Sequence, residues 1–312
     1  MSAQPVAVPS STLHPLRVST WTCYTMILRW NLGSLGPMLP LVVVVQALLA
    51  AGVVIGFGML IPNIDADTSG TALFLSTGAP TVLLMTVGLV IVPQAVSVAR
   101  ANGTFTYLRS LPVHRGILLA ADLTMWLAVA LPGVAVAVVV ARLRFDLTLD
   151  VNWPLLVSTS FLVALMATSV GYAIAVSLAP TLAQLLTQIL VFFVMLFSPV
   201  TFPVSQLPGW FQTVHDWLPV RPAADLLRSG LASQTYVAST RDLVVLLVWT
   251  TVGLAITLRA LTRPGPPEVQ TVHLHERVAV GEQMNLIALR LRGAGRLAFS
   301  ELIGDADHAS VV

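Results

Sequence analysis

Residues 196–230 read LFSPVTFPVSQLPGWFQTVHDWLPVRPAADLLRSG. The segment starts inside an apolar run long enough to cross a bilayer, breaks on Pro199 and Pro203, and then changes period. Trp210, Phe211, Val214, Trp217 and Leu218 stand at i, i+1, i+4, i+7 and i+8, one face of a short amphipathic helix. Two tryptophans on that face suit a membrane–water interface, where an indole is apolar and wet at once. Pro219 stops this helix, Pro222 is placed to open the next one, and Gly230 to close it. A span, a proline-broken bend and an interfacial helix in series suit a lined pathway. An ordinary loop between two membrane helices has the same local shape, so the segment alone leaves both readings open.

The rest of the chain settles the class. Of 312 residues, 56% are hydrophobic and 10% are charged, whereas soluble domains average about 25% charged. Mean hydropathy is +0.86. Formal charge is absent from Trp30 to Ile64, Thr68 to Ala99, Leu123 to Ala141, Val151 to His215 and Leu243 to Leu258. Since about 20 apolar residues cross the hydrocarbon core as a helix, the fourth run holds two spans, divided at Ala179-Pro180. An all-α polytopic membrane protein is predicted, with six transmembrane helices near 38–61, 76–98, 120–141, 154–178, 182–202 and 240–261. The first predicted loop carries Asp65 and Asp67 with no arginine; the second, 99–119, carries Arg100, Arg109 and Arg115 with no acid. The positive-inside rule then places the second loop and both termini in the cytoplasm, with the chain in the plasma (inner) membrane.

Basicity here does not point to nucleic acid. The pI of 9.1 comes from 16 Arg and no Lys, and the arginines within the predicted membrane domain sit at helix ends. A P-loop ATPase needs G-x-x-x-x-G-K-[ST], its lysine reaching the β- and γ-phosphates; without lysine, this chain carries no such motor and binds no nucleotide cofactor. A secondary carrier needs an acid or histidine at mid-membrane. Asp122 is the deepest such group, expected as an interfacial charge paired with an arginine such as Arg115. A polytopic lipid-modifying enzyme needs clustered acids, histidines or a Ser–His pair, which the scattered His14, His114 and His215 do not supply. Cys23 stands alone, excluding an internal disulfide or a cysteine metal cage. No signal peptide is expected, because residues 1–18 lack a basic-then-apolar leader.

In the second loop, Asn102-Gly103 is a turn signal, Thr104 is placed to N-cap a short helix, and Pro112 ends it. Phe105, Leu108 and Leu111 repeat at i, i+3 and i+6, with Arg109 beside them. That small apolar face either docks into a soluble partner or packs on its own bundle.

Taken in order, the two segments resemble the membrane subunits of ABC-2 type ABC transporters, exporter permeases for drugs, polysaccharides or lipids. The family pattern after the second span is matched here by Arg100, Gly103, Thr104, Leu108, Pro112, Val113 and Arg115. The pattern after the fifth span is matched by Ser198, Phe202, Pro203, Leu207, Pro208, Trp210, Pro219, Asp225 and Arg228. The chain departs from the pattern at Asn102, where the family has an acid, and at Pro199, where it has glycine.

The resemblance covers about residues 17–263. It implies a half-transporter that pairs with a second permease subunit, a homodimer partner or sister chain. A separate ABC ATPase subunit would use ATP and Mg. Residues 19–32 would be an interfacial elbow helix, with Trp21, Tyr24, Leu28 and Trp30 as its contacts. Arg100, Gly103, Thr104, Phe105, Leu108, Arg109, Pro112 and Arg115 would couple to the ATPase. Ser198, Pro199, Phe202, Pro203, Pro208, Trp210, Trp217, Asp225 and Arg228 would form the extracytoplasmic re-entrant gate. The expected domains are a cytoplasmic segment 1–18, the transmembrane domain 19–263 and a tail 264–312. That tail opens on Pro264-Gly265-Pro266-Pro267 and holds all four glutamates. His273-x-His275 lies in the tail; two histidines without further ligands are expected to be solvated side chains.

Overall fold

A computed structural model of the protein describes residues 19–36, 39–60, 69–110, 113–145, 150–197 and 208–262. The predicted bend from Ser198 to Leu207, Leu111-Pro112 and the tail after Thr262 lie outside the described residues. Within them, every regular element is a helix. In chain order these are α1 (Thr20–Leu35), α2 (Leu39–Leu60), α3 (Ser69–Thr86), a π-helical segment (Val87–Ile91), α4 (Val92–Ala101), α5 (Thr104–Ser110), α6 (Arg115–Phe145), α7 (Trp153–Ser177), α8 (Pro180–Phe197), α9 (Gly209–Trp217), α10 (Val220–Leu231) and α11 (Thr240–Thr262). The described residues of the six predicted ranges lie on helices except Leu178, which is extended; residues 38, 61 and 198–202 of those ranges lie outside the described residues. Four stretches are long and apolar enough to cross a bilayer: Leu73–Ala101, Arg115–Leu143, Trp153–Ser177 and Thr240–Thr262. In α2 the apolar stretch Pro40–Gly56 is shorter.

Local sequence sets the helix limits. Asn152 caps α7, its side-chain oxygen accepting the Leu155 N–H at 3.3 Å. α7 ends where Leu178 turns extended, ahead of Ala179-Pro180. The chain runs up and down, so α5 and the starts of α6 and α8 share one end of the bundle, while α9 and α10 share the other.

α7 is the central helix. It packs against α11, the π-helical segment, α10, α4 and α6, and two thirds of its apolar window is buried. Small residues permit this. A β-carbon on Gly171 would overlap the Gly88 carbonyl oxygen, and one on Gly253 of α11 would stand 2.9 Å from the Ser169 carbonyl carbon. With bilayer tails as apolar as leucine, such close backbone approach is a main source of helix association.

The expected single helix over 76–98 is interrupted at 87–91, and Pro93 explains it. Its ring nitrogen has no proton to give the Leu89 carbonyl, and the ring crowds that oxygen. The backbone accommodates this with one wider turn, in which the Val92 N–H reaches back to the Val87 carbonyl.

Candidate functional site

At the α5 end, Gly103 makes the corner between α4 and α5. Its φ of 76° is the left-handed region that glycine enters without a Cβ penalty. Phe105 turns inward and packs on the main core cluster, so the bundle itself takes up that part of the small apolar face. Thr104, Thr106 and Tyr107 are exposed. Arg100 points back into the bundle. Its guanidinium donates to the Ala175 carbonyl and, at 2.6 Å, to the Leu178 carbonyl. These oxygens end α7, which has no further turn to bond them, and a cation is favoured there by the helix dipole. Arg100 therefore clasps the ends of α4 and α7 together. Arg115 opens α6.

The same end holds a polar cluster. Asp122 lies in the first third of α6, facing α1 and α7. Asn31 of α1 donates to Oδ1 at 2.6 Å and Tyr172 of α7 donates to Oδ2 at 2.7 Å. The expected pairing of Asp122 with Arg115 is corrected: neutral donors occupy both carboxylate oxygens. Tyr24 adds a second tie from α1 to α6, donating to Thr124 Oγ1 at 2.9 Å. Leu28 packs on the core while Trp21 and Trp30 stay exposed.

At the α9 end, the face inferred from the tryptophans divides. Trp210 and Trp217 are 70% and 71% exposed, with Val214 beside them. Phe211 and His215 turn inward against Phe193, and Leu218 falls beyond the helix. His215 is buried, its Nδ1 3.0 Å from the Phe211 carbonyl. Ion pairs then knit three helices. Asp216 takes Arg221, and Arg241 of α11 at 3.3 Å; Asp225 takes Arg228 at 2.9 Å and Arg221 at 3.6 Å. Arg228 is 1% exposed, with its guanidinium carbon 3.7 Å above the Phe74 ring of α3. The Asp-x-x-Arg spacing is thus an i, i+3 pair that buries a cation with its counter-ion and an aromatic face. Gly230 does not close α10, which runs on to Leu231. It serves contact instead: a β-carbon there would lie 2.8 Å from Leu156 Cα, and its carbonyl accepts the Asn152 N–H at 2.9 Å.

The structure thus gathers Arg100, Gly103, Thr104, Phe105 and Leu108 at one end, with Arg115 close by in sequence. Trp210, Trp217, Asp225 and Arg228 gather at the other, with Pro208 at the head of α9. Ser198, Pro199, Phe202, Pro203 and Pro112 fall outside the described residues. Among the described residues no group of three or more His, Cys, Asp or Glu is placed to hold a metal ion. The Asn31–Asp122–Tyr172 cluster escaped sequence reasoning, as did the glycine contacts; Pro93 within a span was the visible signal for the π-helical segment.

No curated protein matches this sequence. A family profile described as ABC-2 type transporter matches residues 67–232, just over half of the 312-residue chain. The match runs from the start of α3 through α10 and so includes both the α5 corner and the ion-paired α9–α10 unit. With its long apolar helices, the chain belongs to the ABC-2 type transporter family, as a multi-pass membrane subunit.

Proposed function

We propose that this chain is the permease subunit of an ABC exporter for an amphipathic or lipid-like substrate such as a drug, antibiotic or lipid. A separate nucleotide-binding subunit hydrolyses ATP. Two permease subunits, identical or sister chains, enclose the pathway in the plasma membrane. Six helical units cross the bilayer: α2, α3–α4, α6, α7, α8 and α11. Both termini are cytoplasmic, α1 is the interfacial elbow, α5 is the coupling helix, and α9–α10 form the re-entrant outer segment.

The observation that carries this reading is the Arg100 clasp beside α5 in a chain of this family. α5 follows directly on α4, whose end the clasp ties to the end of α7. Because Phe105 is spent on the bundle, the ATPase meets Thr104, Thr106 and Tyr107, with Arg109 and Arg115 supplying charge. A push on α5 then reaches α4 and α7 together. A pathway walled by Leu, Val, Phe and Met suits an amphipathic or lipid-like solute better than a small ion.

Co-expression with a candidate ABC ATPase subunit tests the reading. Co-purification and substrate-stimulated ATP hydrolysis are expected, and Arg109→Glu or Arg115→Glu lowers transport while membrane insertion persists. Failure to retain any ATPase, even after cross-linking at Tyr107, sinks it. Asp122, held between helices by two hydrogen bonds, is the one observation favouring a secondary carrier; transport without ATP that Asp122→Asn abolishes would select that alternative.

A further inference from the structure

A cavity of about 430 Å³ lies inside the single chain, bounded by the π-helical segment, α7, α8, α11 and the α9–α10 joint. We propose that it holds one alkyl chain of a membrane lipid. Its wall includes Leu89, Ala173, Ile174, Phe193, Trp249 and Ile256. Only Ser177 and Trp249 bring polar side-chain atoms to it, and the Trp249 indole N–H is already given to the Trp217 carbonyl at 2.9 Å. Water therefore does not fill it, since a buried water needs two to four polar partners. Nor does it stand empty, because a void this size forfeits dispersion contacts over its whole wall. The occupant is hydrocarbon.

The mouth says which hydrocarbon. α8 packs on α4 and the π-helical segment, while α11 packs on α7, and no extensive contact joins α8 to α11. Between them Phe193, Val252 and Ile256 line the cavity and are also exposed, so it opens on the side that meets bilayer tails. Its volume sits near the low end of the roughly 300–1,000 Å³ of ligand pockets, which admits one chain and excludes a whole two-chain lipid. The far end closes on Leu218, Pro219 and Val220, flanked in sequence by the ion-paired Asp216 and Arg221. A tail inserted here bears on Leu89, where the spanning helix is widened, and on Gly253, where α11 meets α7. The site is independent of what the protein transports and does not rest on the exporter reading.

The test uses the full chain in lipid nanodiscs containing phosphatidylcholine with a diazirine in mid-chain. After irradiation, labelled residues are mapped by peptide mass spectrometry. Labelling of 170–178 and 249–256 is expected to saturate with probe fraction, while labelling of lipid-facing Leu185 and Val244 rises in proportion to it. A phosphatidylglycerol probe with the same tail gives the same pattern. Ala173→Phe fills the cavity and removes the saturable labelling several-fold without changing Leu185. Ser177→Phe repeats this at the cavity edge should the first variant fail to fold. Proportional labelling of the wall overturns the proposal, as does dependence on one headgroup. Wall labelling that appears only when copies of the chain are separated also overturns it, because a second copy would then be what covers the mouth.

Discussion

Replacing Asp122 by alanine removes the acceptor of two hydrogen bonds that join three helices, Asn31 to Oδ1 and Tyr172 to Oδ2. Stranding a buried donor costs about 1–3 kcal/mol, so two cost about 2–6 kcal/mol. Hydrogen bonds between membrane helices average only about 0.6 kcal/mol, because the separated helices find other partners. Burial decides between these scales. Asn31 is 6% and Tyr172 2% exposed, so neither donor has water to turn to while the fold persists. Asp122→Ala is therefore expected to cost about 2–4 kcal/mol. Asp122→Asn behaves differently. Its amide oxygen accepts from Tyr172, and its NH2 donates to Asn31 once that amide flips, so a loss below about 0.5 kcal/mol is expected. Unfolding free energies from SDS titration in mixed micelles, followed by tryptophan fluorescence, give both numbers. The double variant Asp122→Ala, Tyr172→Phe should cost about 1 kcal/mol less than the sum of its singles, because the stranded hydroxyl is gone. An alanine variant as stable as wild type, or an asparagine variant as damaged as the alanine one, refutes the hydrogen-bonding account.

Three further outcomes rest on separate contacts. Gly171→Ala forces a methyl into the Gly88 carbonyl and should cost about 1–3 kcal/mol in the same titration; Gly209→Ala, with nothing within 4 Å, should stay within about 0.5 kcal/mol. Arg228→Ala strips a buried cation from Asp225 and Phe74. The loss should be about 1–3 kcal/mol, set by the space emptied beside Phe74, because the carboxylate left behind is 35% exposed and Arg221 still lies 3.6 Å from it. Arg100→Ala leaves the Ala175 and Leu178 carbonyls without their donor. Its expected mark in proteoliposomes is a lowered ratio of substrate moved to ATP hydrolysed, with Arg100→Lys recovering part of it.

Much of the fold was legible because charge is expensive in a bilayer. Segregated charge located helices, four of them long and apolar enough to cross a bilayer, and Ala179-Pro180 located the turn between α7 and α8. What stayed hidden was rotation about each helix axis. A sequence apolar on every side does not say which stripe faces protein and which faces lipid, since the two media are nearly equivalent to a leucine. α9 shows this: Trp210, Val214 and Trp217 read as one apolar face with Phe211, yet the structure turns Phe211 inward with His215. Arg100 and Asp122 were visible as charges near span ends, but their partners depend on helix pairing. The ordinary expectation for each was an interfacial charge, and both instead bond into the bundle. Gly230 was readable as a helix stop only because its partner, the Leu156 backbone, is distant in sequence.

The same contacts bear on how a displacement at α5 travels. α4 spans only Val92–Ala101, and it is held to α7 at both ends: through Arg100 on the α7 terminal carbonyls, and through Gly88 against Gly171 just before it. Two attachments on one short helix oppose both sliding and rotation, so α4 and α7 move as one body. α11 rides on α7 through Gly253 and Ser169, and its Trp249 is bonded to the last residue of α9. Contacts from α4 to the ion-paired α9–α10 unit therefore run through α7, which packs on α10 and carries α11, and through α8, which packs on α4 and sets Phe193 against Phe211 and His215 of α9. Any residue larger than glycine at position 171 or 253 should weaken coupling between α5 and α9, because it would part α7 from the π-helical segment or from α11.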